Sequence, residues 1–167
     1  MGILLGTWNL LCRTALAFMP SLARPADDWA AGVLEPAELR LYLRMDPRDR
    51  QHCVQVARRL LKLDPAAGRE LLAAALLHDA GKALLPYNAW HRVRVHLEAP
   101  AGLPVEPLLE GLQGARQLRE HHELLGARLL REEGGSEAVA TLIERLADPG
   151  RLQDGRLRLL RMADDAT

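Results

Sequence analysis

A histidine and an aspartate stand side by side at the end of an apolar run, Leu76-Leu77-His78-Asp79-Ala80-Gly81-Lys82. Imidazole nitrogen is a borderline donor and carboxylate oxygen a hard one, so the pair suits a divalent transition metal. The dipeptide by itself is common. Here His52 lies 26 residues upstream, Gly81-Lys82 follows at once, and Asp164 closes the run Leu159-Leu160-Arg161-Met162-Ala163-Asp164. Each of these has a plain structural explanation when taken singly. A lone histidine on an apolar face is more often a hydrogen-bonded core residue than a ligand. A His-Asp pair at a helix end is usually a cap or a surface pair, and Asp164 reads as a helix-end acid, with Asp165 the fallback for it as a ligand. The order of the set (His, then His-Asp, then Asp) is what gives it weight.

Those residues need elements to carry them. Asp46-Pro47-Arg48-Asp49 is a helix start: Asp46 caps, Pro47 suits the first turn, and Asp49 sits at the positive end of the dipole. His52, Val56, Leu60 and Leu63 then recur at helical spacing, which puts His52 on the inward face. A second helix, about 66–78, is nearly all Leu and Ala in its latter half, as a buried central helix should be. Gly81 offers it a left-handed stop, leaving His78 and Asp79 at its end. Before these, Glu35-Pro36 opens a helix carrying Leu39, Leu41, Tyr42 and Leu43. After them come a short helix at 89–97 capped by Asn88, a Pro/Gly-rich loop at 100–107, and a long helix at about 118–133 stopped by Gly134-Gly135. Ser136 caps the next helix, with Val139, Leu142, Ile143 and Leu146 on one side, and Asp148-Pro149-Gly150 breaks it. In the last, Leu157, Leu160 and Asp164 share one face. No strand-like alternation persists, and the fold class is an all-α multi-helix bundle.

Composition narrows the function classes. The 167 residues suffice for one domain with a real core. Aromatics are only 4 %, so that core is built from Leu, Ala and Val, a composition that favours helix over strand. With 22 basic and 22 acidic residues the net charge is zero, which argues against a nucleic-acid binder. Lys82 is one of two lysines in a chain that otherwise uses arginine. Cys12 and Cys53 show no metal-type spacing. Cys53 falls in a helix core, and the absence of a disulfide framework fits a reducing cytoplasm. The apolar start, residues 1–20, lacks a positive leader and is interrupted by Asn9 and Arg13. It is too short and broken to span a membrane and reads as a helix packed on the domain.

The ordered set, with Gln51-His52-Cys53-Val54-Gln55-Val56-Ala57 around its first histidine, resembles the HD-domain superfamily of metal-dependent phosphohydrolases. His122-Glu123-Leu124-Leu125-Gly126-Ala127 is similar to that family's His-Pro-Glu-x-Gly-Ala segment. The spacing to Gly126-Ala127 selects His122 over His121, although Glu123 stands where proline is usual. The resemblance runs from about Met45 to Thr167, and divides the chain into an N-terminal helical extension at 1–45 packed on the core and an HD domain at 46–167.

The resemblance implies an all-α HD-like bundle and a ligand set of His52, His78, Asp79 and Asp164. Four such ligands leave one or two positions open on Mn, Fe, Co, Ni or Zn. It further implies a metal-activated water attacking a phosphate ester, with Asp79 able to accept a proton and Lys82 or His122 able to protonate the leaving group. Lys82 and His122 would also contact substrate. Arg92 and Arg94, in a basic cluster with His91 and His96, would clamp phosphate, or else form a solvated helix face opposed by Glu98. Tyr87 and Trp90 would line a nucleobase pocket or serve as core or lid. The expected substrate is a small phosphorylated molecule, foremost a nucleotide, with a cytoplasmic setting, no nucleic acid, no membrane span, and an apolar N-terminal segment available to a homodimer. Two rivals are a non-catalytic metal- or nucleotide-binding regulatory module, and a two-metal phosphodiesterase in which His121 and His122 serve a second ion. Ile143-Glu144-Arg145-Leu146 has no histidine where two-metal members generally place one, and the Gly-Tyr-Pro signature is missing. The first absence argues for a mononuclear or weakly dinuclear site, and both argue against a cyclic-dinucleotide phosphodiesterase of the Gly-Tyr-Pro kind.

Overall fold

The computed structural model describes residues 23–85, 94–95, 98 and 100–167, and these form helices and loops with no strand among them. In order come α1 (Asp27–Ala31), α2 (Pro36–Arg44), α3 (Pro47–Leu63), α4 (Arg69–Leu77), a 3-10 turn (Ala80–Leu84), α5 (Gly111–Glu132), α6 (Glu137–Arg145), a second 3-10 turn (Pro149–Gln153) and α7 (Gly155–Asp165). The architecture is all-α, as the periodicity requires. The apolar start to residue 22, with Cys12, lies outside the described residues. So does the expected helix at 89–97 with Tyr87, Asn88, Trp90, His91, Arg92 and His96, apart from the helical pair Arg94 and Val95.

Local chemistry explains most boundaries. The Asp46 carboxylate accepts from the Arg48 amide at 3.0 Å, and Pro47 occupies the first turn of α3. Glu38 reaches back to the Glu35 amide at 2.9 Å, completing a capping box on α2. Asp64 accepts from the Ala66 amide at 3.0 Å. That turn consumes the residues expected to open the next helix, so α4 starts at Arg69. Ser136 holds the cap position of α6, but its hydroxyl makes no capping bond. α5 starts at Gly111, earlier than the expected 118. Gly111 adopts φ +57° at the helix mouth. Gly114 is small because the Leu109 carbonyl and the Leu85 side chain press on it.

α4 is the central helix. It packs against α2, α3, α6 and α7. Leu71 and every residue from Ala73 to Leu77 are buried there, within one core that includes Leu41, Tyr42, Val56, Leu60, Ile143, Leu157 and Leu160. Ala30 of α1 and Leu41 and Tyr42 of α2 thus share their apolar surface with the rest of the molecule. Truncating a core residue such as Leu76 to Ala would cost about 2–5 kcal/mol, the transfer of the lost atoms plus the cavity they leave.

One expectation is corrected. Gly81 is not in the left-handed conformation, which among the described glycines belongs to Gly102, Gly111 and Gly134. Gly81 is instead the point where the 3-10 turn lies against α5. A Cβ there would collide with the His122 carbonyl and come within 2.9 Å of the Gly126 amide nitrogen, and Gly126 faces Gly81 in return. Two glycines let two backbones touch.

Candidate metal centre

Four segments meet at one end of α4. His52 comes from the inward face of α3. His78 caps the C-terminus of α4, and Asp79 opens the turn that follows. Asp164 comes from the last turn of α7. His52 Nε2 lies 3.0 Å from Asp164 Oδ1. His78 Nε2 lies 3.7 Å from both Asp164 Oδ1 and Asp79 Oδ1. The two imidazoles meet edge to face, with ring centres 5.5 Å apart.

The donor set fits a divalent ion. The ligand atoms of His52, His78 and Asp79 all lie within 4.8 Å of one another. Ligands about 2.1 Å from a common ion sit no more than about 4.2 Å apart, so only a slight contraction is needed. The histidine tautomer agrees. His78 Nδ1 is 2.9 Å from the Ala75 carbonyl oxygen. Nδ1 must carry the proton to bond a carbonyl, which leaves the Nε2 lone pair directed at the cluster. His78 and Asp79 are buried, and Cys53 packs behind the His78 ring.

Electrostatics hold both carboxylates in the anionic form. Burial works against the charge on Asp79, but Lys82, His78, His122 and His52 outweigh it and keep the carboxyl well below the ordinary carboxylate range. Lys82 Nζ is 2.6 Å from Asp79 Oδ1. Burial also opposes ionisation of Asp164, yet the hydrogen bond with His52 and the charges of His78 and His52 lower its pKa from 3.8 to about 2. His122 Nε2 is 3.3 Å from Asp79 Oδ1, while its Nδ1 faces the Leu118 carbonyl at 3.1 Å and Glu123 Oε2 at 3.4 Å. Burial first, then Lys82, pull the His122 pKa below its ordinary value.

The sequence-selected residues therefore divide. His52, His78, Asp79, Lys82, His122 and Asp164 converge. His121 turns the other way, its Nε2 at 2.7 Å from the Leu103 carbonyl oxygen. Arg94 stands apart, exposed and paired with Glu98 at 3.0 Å, and Arg92 is outside the described residues. Leu146, in place of a second-ion histidine, lines the cavity beside the cluster together with Leu160, His78, His122 and Asp164. Two further residues of that cavity, Glu123 and Arg161, were given no role from the sequence. Arg161 precedes Asp164 by three positions, so helical spacing alone would have put both on one face.

Comparison with known proteins bears on the same segments. A family model described as HD domain matches residues 50–166, which take in all four residues of the ordered set. Curated proteins and solved structures gave no match. Among the described residues, no helix is long and apolar enough to cross a membrane.

Proposed function

The chain belongs to the HD-domain family, and from that membership we propose that it is a metal-dependent phosphohydrolase acting on a small phosphate ester, foremost a nucleotide. The observation that carries the reading is the approach of His52, His78 and Asp79 donor atoms to within 4.8 Å, with Asp164 hydrogen-bonded to the first of them. His52, His78, Asp79 and Asp164 would hold one divalent transition ion. When bound, such an ion supplies Lewis acidity, making water a better nucleophile near neutral pH and polarising a phosphoryl oxygen.

The chain's own groups do the rest. The Ala75 carbonyl fixes the His78 ring in the tautomer that presents Nε2. Lys82 offsets the charge of Asp79 and keeps it from being protonated in a buried setting. His122 touches Asp79 through one ring nitrogen and Glu123 through the other. It thus joins the ligand carboxylate to a cavity carboxylate, a position from which it can take a proton from water or give one to a leaving oxygen. Leu146 and Leu160 give the cavity an apolar part that limits access of bulk water.

Elemental analysis of untagged protein, paired with hydrolysis of a panel of nucleotides and simple phosphate esters, tests the reading. The expected result is about one transition-metal ion per chain with turnover, both lost in Asp79→Ala while circular dichroism shows the helices intact. Absence of metal from the wild type after reconstitution with Mn, Fe, Co, Ni or Zn would overturn it. Metal without hydrolysis across the panel would leave a binding module in its place.

A further inference from the structure

Asp79, Glu123 and Asp164 put three carboxylates at or beside the cluster, which repel a phosphate dianion unless cations offset them. Among the described residues that line the cavity, Arg161 carries the one permanent positive charge. It sits one helical turn before Asp164 on α7. Its guanidinium nitrogens are 3.4 Å from Asp164 Oδ2 and 2.9 Å from Asp165 Oδ1. The first contact is long. The second is to an exposed carboxylate, its side chain 58 % accessible, and exposed pairs of this kind hold their partners weakly. The guanidinium is thus beside the cluster, open to solvent and cheaply released. Lys82 is differently placed, with its ammonium against Asp79 at 2.6 Å.

Resting on the phosphohydrolase reading, we propose that Arg161 is the residue that grips the substrate's phosphoryl group, and that it selects monoesters over diesters. A guanidinium fork takes two oxygens of one phosphate at once. A monoester has three non-bridging oxygens, enough for the fork and for a cation in the same site. A diester has two, so fork and cation compete for one of them. Arg161 moves from Asp165 to the incoming phosphate, and Asp164, relieved of its long contact, keeps its place among the candidate ligands.

The test uses metal-loaded full-length protein, with inorganic phosphate as the probe. Calorimetry should show Arg161→Ala binding phosphate about ten- to a hundredfold more weakly than the wild type, the loss expected for charged hydrogen bonds, with metal content unchanged. Arg161→Lys should recover part of the loss, because a point charge remains without the fork. With 4-nitrophenyl phosphate the variant's defect should fall mainly on KM. The preference for that monoester over bis(4-nitrophenyl) phosphate should shrink. Unchanged phosphate affinity in Arg161→Ala, or a wild type that holds metal and binds no phosphate, would overturn the assignment of Arg161 while leaving the metal site standing. A wild type that takes up no metal would sink the functional reading itself, and this inference with it.

Discussion

His121 and His122 are neighbours in sequence with opposite duties, and the difference is measurable. His121 bonds the Leu103 carbonyl and fastens a loop, whereas His122 faces Asp79 and Glu123. His122→Ala should lower kcat by about a hundredfold or more with metal retained, the usual weight of a positioned acid or base. His121→Ala should cost about 1 kcal/mol of stability and leave kcat nearly intact. Steady-state kinetics and urea titration on both variants separate the two, and equal kinetic losses would contradict the assignment. Asp164 gives a second test at this scale. Its folded-state pKa is depressed, so its contribution to stability is complete above 3.8 and disappears as pH falls towards about 2. Metal-free protein should therefore lose about 2 kcal/mol through Asp164 across that window, and Asp164→Asn should flatten the loss in acid thermal melts. Helical spacing put His52 and Asp164 on inward faces and left His78 and Asp79 at a helix end, and the family resemblance joined the four as a candidate ligand set. The family resemblance matches His122 rather than His121 to its histidine, but leaves open which of the two faces the site. Arg161 and Glu123 received no role: the spacing from Asp164 could have put Arg161 on the same face, but the cavity beside them leaves no mark in the sequence.

The 3-10 turn and α5 behave as one unit because Gly81 and Gly126 let their backbones meet. Gly81→Ala places a methyl against the His122 carbonyl, and neither backbone can yield without shifting the ligand pair or His122. The expected cost is about 1–3 kcal/mol in urea unfolding, with weakened metal retention. An equivalent change at Gly68, where a Cβ meets nothing, should be close to neutral and serves as the control. Retained metal affinity in Gly81→Ala would show that the turn can be rebuilt. This contact was not legible beforehand. Gly81 sits where a helix stop belongs, and the approach of two backbones remote in sequence leaves no periodic trace. The early start of α5 was hidden for a related reason, since the close packing that Gly114 serves leaves no periodic trace. By contrast, α3 was legible because Asp46 and Pro47 act through bonds to immediate neighbours.

At the scale of the molecule, the candidate ligands bridge α3, the end of α4 and α7, so an ion bound there would tie three helices that otherwise hold together by apolar packing. An ion present at about a hundred times its Kd would add about 2.7 kcal/mol, which for a chain of this size raises Tm by roughly 5–10 °C. Calorimetric scans with and without added metal should show that rise in the wild type and none in Asp79→Ala, and equal shifts in both would place the binding elsewhere. The contact between His52 and Asp164 joins residues 112 positions apart. During synthesis the two histidines and Asp79 leave the ribosome together, long before α7 exists to bring the second carboxylate. A partly made chain can hold an ion only through an incomplete and weaker set of donors. Tight capture thus waits until α7 has docked on α3, and the long-lived metal-bound form is drawn from chains in which that packing is complete.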